Sequence, residues 1–232
     1  MNKIKVLSKS TIGFVLVIFG LMFMMRCLNL GSTFSNTATA AEQEPVKTTA
    51  AVAGSEGWIL QFSDNFDRVE LGADWAITKG WWYIENGMLV GGIDKITVNE
   101  TICTKEFSGS QRLEFDAVSD NPGDLTGLLC INEMGYVSGY FFGFGSDENA
   151  HSKLLIEGRE WKRYDKVITP GKLHHVVCQR EGNKITHIVD GEVVMTFIHD
   201  TPVKGPGHEM VGFCIWSIGK IDNVKVYTKA EE

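Results

Sequence analysis

The stretch Leu173–Ile198, which reads LHHVVCQREGNKITHIVDGEVVMTFI, decides the fold. Three short runs rich in β-branched and apolar residues are separated by Gly182-Asn183 and by Asp190-Gly191. Such pairs tolerate the positive φ angles that tight hairpin loops require. The stretch therefore predicts an antiparallel meander of three strands over 173–198.

The chain from Trp58 onward continues this pattern. Residues 111–118 alternate, with Leu113, Phe115 and Ala117 on one face and acidic residues on the other. Residues 138–144 form a second, aromatic run, and apolar residues at helical spacing are missing throughout. Short strands spaced by turns are typical of a sandwich or barrel, so the sequence predicts an all-β domain.

The N-terminal segment predicts export from the cytoplasm. Lys3, Lys5 and Lys9 precede an apolar run at 12–25, which suits a secretory signal better than a spanning helix of roughly 17–25 residues. Ala38-Thr39-Ala40 offers a cleavage pattern. Two interpretations of 1–40 stay open: a cleaved signal peptide, or an anchor that tethers the domain to a membrane through residues 12–25. Both place the domain outside the cytoplasm, after a flexible tether over 41–57.

Charge restricts the partners of the exported part. The whole chain has 22 basic and 29 acidic residues, and 44% of it is apolar, which is enough for a packed core. The first 40 residues contain four of the basic residues and no acid, so the remainder has 18 basic and 29 acidic residues and a net charge of −11. An acidic domain with all six Trp residues does not fit nucleic acid as a partner.

The order of several short segments is more specific than any one of them. The segments are FSDNFD at 62–67, LGADW at 71–75, WYIENGML at 82–89, VDGEV at 189–193, VGF at 211–213 and IDNVKV at 221–226. This order resembles the concanavalin A-like (laminin G-like) jelly-roll domains of exported bacterial proteins, in particular the 3-keto-disaccharide hydrolase domain. The resemblance implies a two-sheet antiparallel β-sandwich over 58–229, with its first and last strands side by side.

The resemblance implies a carbohydrate partner and leaves two functions open, beside a third interpretation as a structural interaction domain that the tether holds off the membrane. One is a glycoside hydrolase acting on 3-keto or ordinary disaccharide bonds. The other is a non-catalytic module of the same fold for glycan binding or surface recognition. The hydrolase domains show an Asn-Ser-Gly element and a Gly-Tyr-Glu-x-Gln strand, where this chain has Leu125-Thr126-Gly127 and Gly139-Tyr140-Phe141. These departures favour the binding module.

Glu114 and Asp116 are the candidate catalytic pair. They lie two residues apart, so on a strand both side chains point to the same face. Glycosidases place two carboxyl groups roughly 5–9.5 Å apart, a range that such neighbours fit loosely. Related laminarinase-type strands carry a further Glu, which is missing here. A solvated sheet face is the competing interpretation.

Aromatic residues are the candidate sugar platforms. Trp81 and Trp82 are consecutive, so on a strand one points inward and the other outward. An outward ring can stack on the apolar face of a pyranose. Trp161, among charged residues, and Tyr140, on the aromatic strand, are further candidates for substrate binding.

Acidic residues near the two ends of the domain are candidate ligands for a structural Ca²⁺. Asp64, Asp67 and Asp222 would lie close together if the first and last strands pair, and calcium takes six to eight oxygen ligands. Turn chemistry at the strand ends is the alternative. Cys103, Cys130, Cys178 and Cys214 leave a similar choice between disulfides and buried free thiols.

Overall fold

The computed structural model describes residues 57–93 and 97–231 and shows a sandwich of two antiparallel sheets in that part of the chain. The predicted export segment over 1–40 lies outside the described residues. Within the described ranges, no helix is both long and apolar enough to cross a membrane.

The first sheet has eight strands among the described residues. They are β1 (Ile59–Asp64), β3 (Trp82–Glu85), β4 (Met88–Gly91), β6 (Ser110–Asn121), β11 (His174–Glu181), β12 (Lys184–Val189), β13 (Glu192–Ile198) and β15 (Ile218–Lys229). Their spatial order is β13-β12-β11-β6-β15-β4-β3, and β1 pairs with β15. The predicted meander is therefore confirmed as β11-β12-β13, and the first and last strands lie side by side.

The second sheet has seven strands in the same described part. They are β2 (Trp75–Lys79), β5 (Asn99–Cys103), β7 (Thr126–Ile131), β8 (Tyr140–Gly145), β9 (His151–Ile156), β10 (Arg159–Tyr164) and β14 (Met210–Ile215), in the spatial order β10-β9-β8-β7-β14-β5-β2. A short 3₁₀ helix, Gly135–Val137, lies between β7 and β8, and a turn, Ser146–Asn149, whose last three residues have positive φ, lies between β8 and β9.

Period-two alternation places the core between the sheets. Leu113, Phe115 and Ala117 on β6 are fully buried, and Phe115 packs edge-on against Phe213 of β14 at 5.0 Å between ring centroids. Trp75 stacks on the same Phe213 ring at 5.5 Å. Burial of these apolar faces is the main force that holds the two sheets together.

The second sheet is also apolar on its outer face. A separate cluster of buried residues lies there, with half-buried Tyr136 and Trp216 packed against it; the buried members are Ile102, Leu128, Ile131, Phe141 and Cys214. An outer sheet face that only meets water usually carries polar residues. This face therefore carries a second, smaller apolar core, which Tyr136 and Trp216 partly cover.

Candidate functional site

A groove lies on the outer face of the second sheet, next to the apolar cluster. Its volume is about 670 Å³, within the range of small-molecule sites. The residues that give it chemical character are Tyr136, Phe141, Trp216, Asp124, Asp147 and Lys153. We call it the Trp216 groove.

Three aromatic rings form the floor of the groove. Trp216 contacts Tyr136 at 5.7 Å and Phe141 at 6.0 Å between ring centroids, both in edge-to-face geometry. Phe141 is buried, whereas Trp216 and Tyr136 are half-buried. The exposed parts of these two rings offer apolar area for the C–H face of a sugar while their packing holds them rigid.

A buried carboxylate fixes Tyr136 in this floor. Glu100 on β5 is fully buried, and its Oε2 accepts a hydrogen bond of 2.7 Å from the Tyr136 backbone N–H. Its Oε1 accepts from the Thr78 hydroxyl at 2.7 Å and from Lys79 Nζ at 2.9 Å. Gly135 has a φ of +68°, and a Cβ there would lie 2.1 Å from Glu100 Oε1. Only glycine lets the 3₁₀ helix approach the carboxylate this closely.

Asp124 forms one wall of the groove. The residue is only 7% exposed, and its Oδ1 accepts a hydrogen bond from the Ser146 hydroxyl. Burial raises the pKa of its carboxyl above the usual value, and the nearby charge of Asp147 adds to this rise. Asp124 has a φ of +54°, a conformation that costs energy in a residue with a side chain.

Asp147 lies on another wall, where nearby cationic side chains lower the pKa of its carboxyl. Lys153 Nζ donates to Asp147 Oδ1 at 2.8 Å, and this hydrogen bond is the largest cause of its lowered pKa. Arg163 lies 3.8 Å from Oδ2 of the same carboxylate. Asp147, Glu148 and Asn149 all have φ between +51° and +65°. Three consecutive residues in this sparsely populated region form a strained turn, which the ion pairs of Asp147 with Lys153 and Arg163 help to hold.

The structure places Glu114 and Asp116 on the outer face of the first sheet, the opposite side of the sandwich from the groove. Glu114 forms an ion pair with Arg112 at 2.5 Å. Asp116 accepts hydrogen bonds from His175 Nδ1 at 2.8 Å and Asn223 Nδ2 at 2.9 Å. Both carboxylates thus have cross-strand or same-strand partners, and neither lines the groove.

The four candidate aromatic residues lie in different surroundings. Trp81 is 61% exposed and Trp82 is 6% exposed, so the predicted alternation of these two residues is confirmed. Trp161 is half-exposed and packs edge-on against Phe197 of β13. Tyr140 has no exposed surface; its hydroxyl contacts His199 Nδ1 and accepts from the Val203 N–H. Tyr140 and Trp82 are therefore core residues, whereas Trp81 and Trp161 are open to a ligand.

The acidic residues at the chain ends have protein partners. Asp64 accepts hydrogen bonds from Arg68 at 2.6 and 2.7 Å and from Trp75 Nε1 at 2.8 Å. Asp67 Oδ2 accepts from Asn65, and burial raises the pKa of Asp222. In the described ranges, no three His, Cys, Asp or Glu side chains form a group that could hold a metal ion. The expected calcium ligands therefore do not assemble into a site there.

The groove residues were not among the sequence candidates, although one signal for them is visible. Trp216 follows Cys214 by two residues at the end of β14, so both side chains point to the outer face. The other members come from β8, β9 and three loops. Their proximity depends on the order of strands in the second sheet, which sequence spacing does not reveal.

Comparison with solved structures finds this fold in proteins of low sequence identity. A Bacillus subtilis protein of unknown function with a galectin-like fold matches with a TM-score of 0.59 and 11% identity, over 75% of this chain and 97% of that one. SCLam, a non-specific endo-β-1,3(4)-glucanase of family GH16, matches with a TM-score of 0.55 and 14% identity, over 75% and 92%. The exoplasmic/lumenal domain of VIP36, in a Ca²⁺/Man3GlcNAc-bound form, matches with a TM-score of 0.56 and 11% identity, over 75% of this chain and 91% of that one.

These likenesses define the fold class. The chain is a concanavalin A-like jelly roll of the kind found in galectin-like, lectin and GH16 domains, as the sequence resemblance implied. No protein-family model and no curated protein matches the chain.

Proposed function

We propose that this domain is a non-catalytic glycan-binding module that holds its ligand in the Trp216 groove. The observation that carries the proposal is the half-buried Trp216–Tyr136 pair on an apolar outer sheet face, with carboxylates and a lysine around it. Rigid aromatic area with a few polar groups at the rim is the chemistry that selects sugar rings.

The structural neighbours support a carbohydrate ligand. SCLam is a glucanase, and the VIP36 domain was solved with Man3GlcNAc bound. A glycan outside the cytoplasm is also the partner that the predicted export segment would allow the domain to meet.

The carboxylates favour binding over catalysis. The predicted catalytic pair, Glu114 and Asp116, is engaged by Arg112, His175 and Asn223 on the opposite side of the sandwich. In the groove, Lys153 Nζ donates a hydrogen bond to Asp147 Oδ1, so this carboxylate is not free. The conserved chemistry of a retaining or inverting glycosidase needs two free carboxyl groups across the scissile bond.

Hydrolysis of a glycosidic bond, including the 3-keto type, is the second candidate function. One observation favours it: Asp124 and Asp147 line the same groove, and their pKa values shift in opposite directions. Two carboxyl groups whose pKa values are shifted in opposite directions suit the roles of general acid and general base. In this scheme protonated Asp124 would donate a proton to the leaving oxygen, and Asp147 would accept a proton from the water that attacks the anomeric carbon.

A glycan array combined with turnover assays on 3-keto and ordinary disaccharides tests the two functions. We expect binding that Trp216→Ala abolishes, without release of reducing sugar. Turnover that Asp124→Asn abolishes would select the hydrolase. A chain that neither binds nor cleaves any glycan would contradict both functions.

A further inference from the structure

Asp124 is a buried carboxylate with no cationic group at ion-pair distance; Lys153 and His151 act on it only from farther away. The structure gives its side chain one hydrogen bond, from the Ser146 hydroxyl. Among the described residues, no Lys, Arg or His nitrogen lies within 4.0 Å of a carboxylate oxygen of Asp124, the limit for an ion pair. Lys153, the cationic residue of the groove wall, pairs with Asp147 instead.

This arrangement is costly for the protein alone. A buried charge needs a partner and several hydrogen bonds to offset the loss of water, and a single hydroxyl supplies only part of this. Asp124 lines the groove, so a ligand can reach the carboxylate. The missing cation can therefore come from the ligand.

The other charged side chains in the groove lining also give it a net negative charge that favours a cationic ligand. Asp124, Asp147 and Glu148 give three carboxylates against one lysine in the lining. Glu148 is exposed at the rim, where it attracts a cation during approach. The same charges repel a uronic acid or a sulfated sugar.

We infer that the Trp216 groove selects glycans that carry a protonated primary amine, such as oligomers of a 2-amino-2-deoxy sugar. The sugar ring lies on Trp216 and Tyr136, and the ammonium group donates to Asp124 and approaches Glu148. This inference rests on the proposed glycan-binding function and names the ligand class of the same site.

Calorimetric titration of the purified protein at about pH 6 tests the inference with four tetrasaccharides of different charge. The probes are β-1,4-linked glucosamine, β-1,4-linked N-acetylglucosamine, cellotetraose and tetragalacturonate. We expect the glucosamine oligomer to bind about tenfold tighter than cellotetraose, as a charge-assisted hydrogen bond predicts, with a preference that falls as salt rises. Tetragalacturonate should bind weakest.

Two variants separate charge from folding. Asp124→Asn keeps the size of the side chain and an acceptor for Ser146, and we expect it to reduce the preference for glucosamine over glucose oligomers to about twofold or less. Glu148→Gln changes an exposed side chain that the fold does not need, and a partial loss of preference is expected. A wild-type preference that survives both substitutions would overturn the inference.

The remaining outcomes distinguish this inference from the proposed function. Equal binding of glucosamine and glucose oligomers, lost in Trp216→Ala, overturns the amine selection and leaves glycan binding intact. Absence of binding to every oligosaccharide overturns both. Millimolar Ca²⁺ that raises cellotetraose affinity and removes the amine preference would show that a metal ion fills the place next to Asp124, which also overturns the inference.

Discussion

The backbone N–H of Tyr136 donates a 2.7 Å hydrogen bond to the fully buried carboxylate of Glu100. Tyr136 lies on the 3₁₀ helix above the second sheet, and Glu100 lies on β5 within that sheet. A charged group beneath the sheet surface thus holds the aromatic residue that forms part of the groove floor. Lys79 completes the arrangement, with its Nζ 2.9 Å from Glu100 and 4.7 Å from the centre of the Tyr136 ring.

Glu100→Gln should therefore damage both stability and binding. The amide loses the charge that pairs with Lys79 and supplies one acceptor oxygen where the carboxylate has two. The Lys79 side chain is 36% exposed, so the main cost is the buried donor left without an acceptor, about 1–3 kcal/mol, which urea unfolding measures. Glycan affinity should fall as well, because the Tyr136 ring loses its fixed position. Glu133→Gln is the matched control, because it changes an exposed side chain just before the 3₁₀ helix that carries Tyr136. Equal unfolding free energies for the two variants would contradict this role.

Asp124→Asn should stabilise the domain at neutral pH. Burial raises the pKa of Asp124 above the unfolded value of 3.8, so the folded state holds this carboxylate charged at a cost once the pH exceeds the raised pKa. Below pH 3.8 the carboxyl is protonated in both states and the cost disappears. We expect Asp124→Asn to raise Tm by about 2–4 °C at pH 7, equivalent to about 1 kcal/mol, with the gain shrinking as the pH falls. A lower Tm at pH 7 would show that Asp124 is a stabilising residue.

His187 should make the domain sensitive to acid. It is fully buried beside Tyr164, and burial lowers the pKa of its imidazole from 6.5 to about 3. The unfolded chain takes up a proton below pH 6.5 and the folded chain does not, so stability is lost as the pH falls from 6.5 towards 3. His187→Gln should reduce this slope by up to about 1.4 kcal/mol per pH unit in urea unfolding between pH 7 and pH 4. Parallel slopes for the two proteins would argue against a neutral His187.

The four cysteines of the domain should resist thiol reagents. Cys103, Cys130, Cys178 and Cys214 are free and buried, and burial raises the pKa of the Cys103 and Cys130 thiols to about 11. The thiolate is the reactive form, so native protein with Cys27→Ser should not react with a disulfide reagent, whereas unfolded protein should react at all four. A mass increase on reduction would instead reveal a disulfide.

The sequence predicts the fold through local signals. Alternation fixes the inward face of Leu113, Phe115 and Ala117, and turn residues fix the meander; both predictions are confirmed. The jelly-roll resemblance also predicts the pairing of β1 with β15.

The groove needs information that the sequence does not carry in one place. Trp216, Asp124 and Asp147 lie far apart along the chain, and left-handed turns at the two acids direct them to one surface. The spacing of Glu114 and Asp116 correctly predicts a shared face, but the partners of Asp116 depend on cross-strand register, in which His175 and Asp222 lie opposite it. Sequence spacing alone therefore identifies a pair of carboxylates without showing that other side chains form hydrogen bonds and ion pairs with them.

The affinity of Trp216→Ala for a glycan bound by the wild-type protein tests the central claim most directly. Trp161→Ala and Trp81→Ala are matched controls, because each removes an exposed indole that does not line the groove. Removing a stacking aromatic from a binding site costs about 2 kcal/mol or more, so titration calorimetry should show a loss of about 30-fold or greater for Trp216→Ala and changes within about twofold for the controls. Unchanged affinity in Trp216→Ala, with binding lost in either control, would contradict the account.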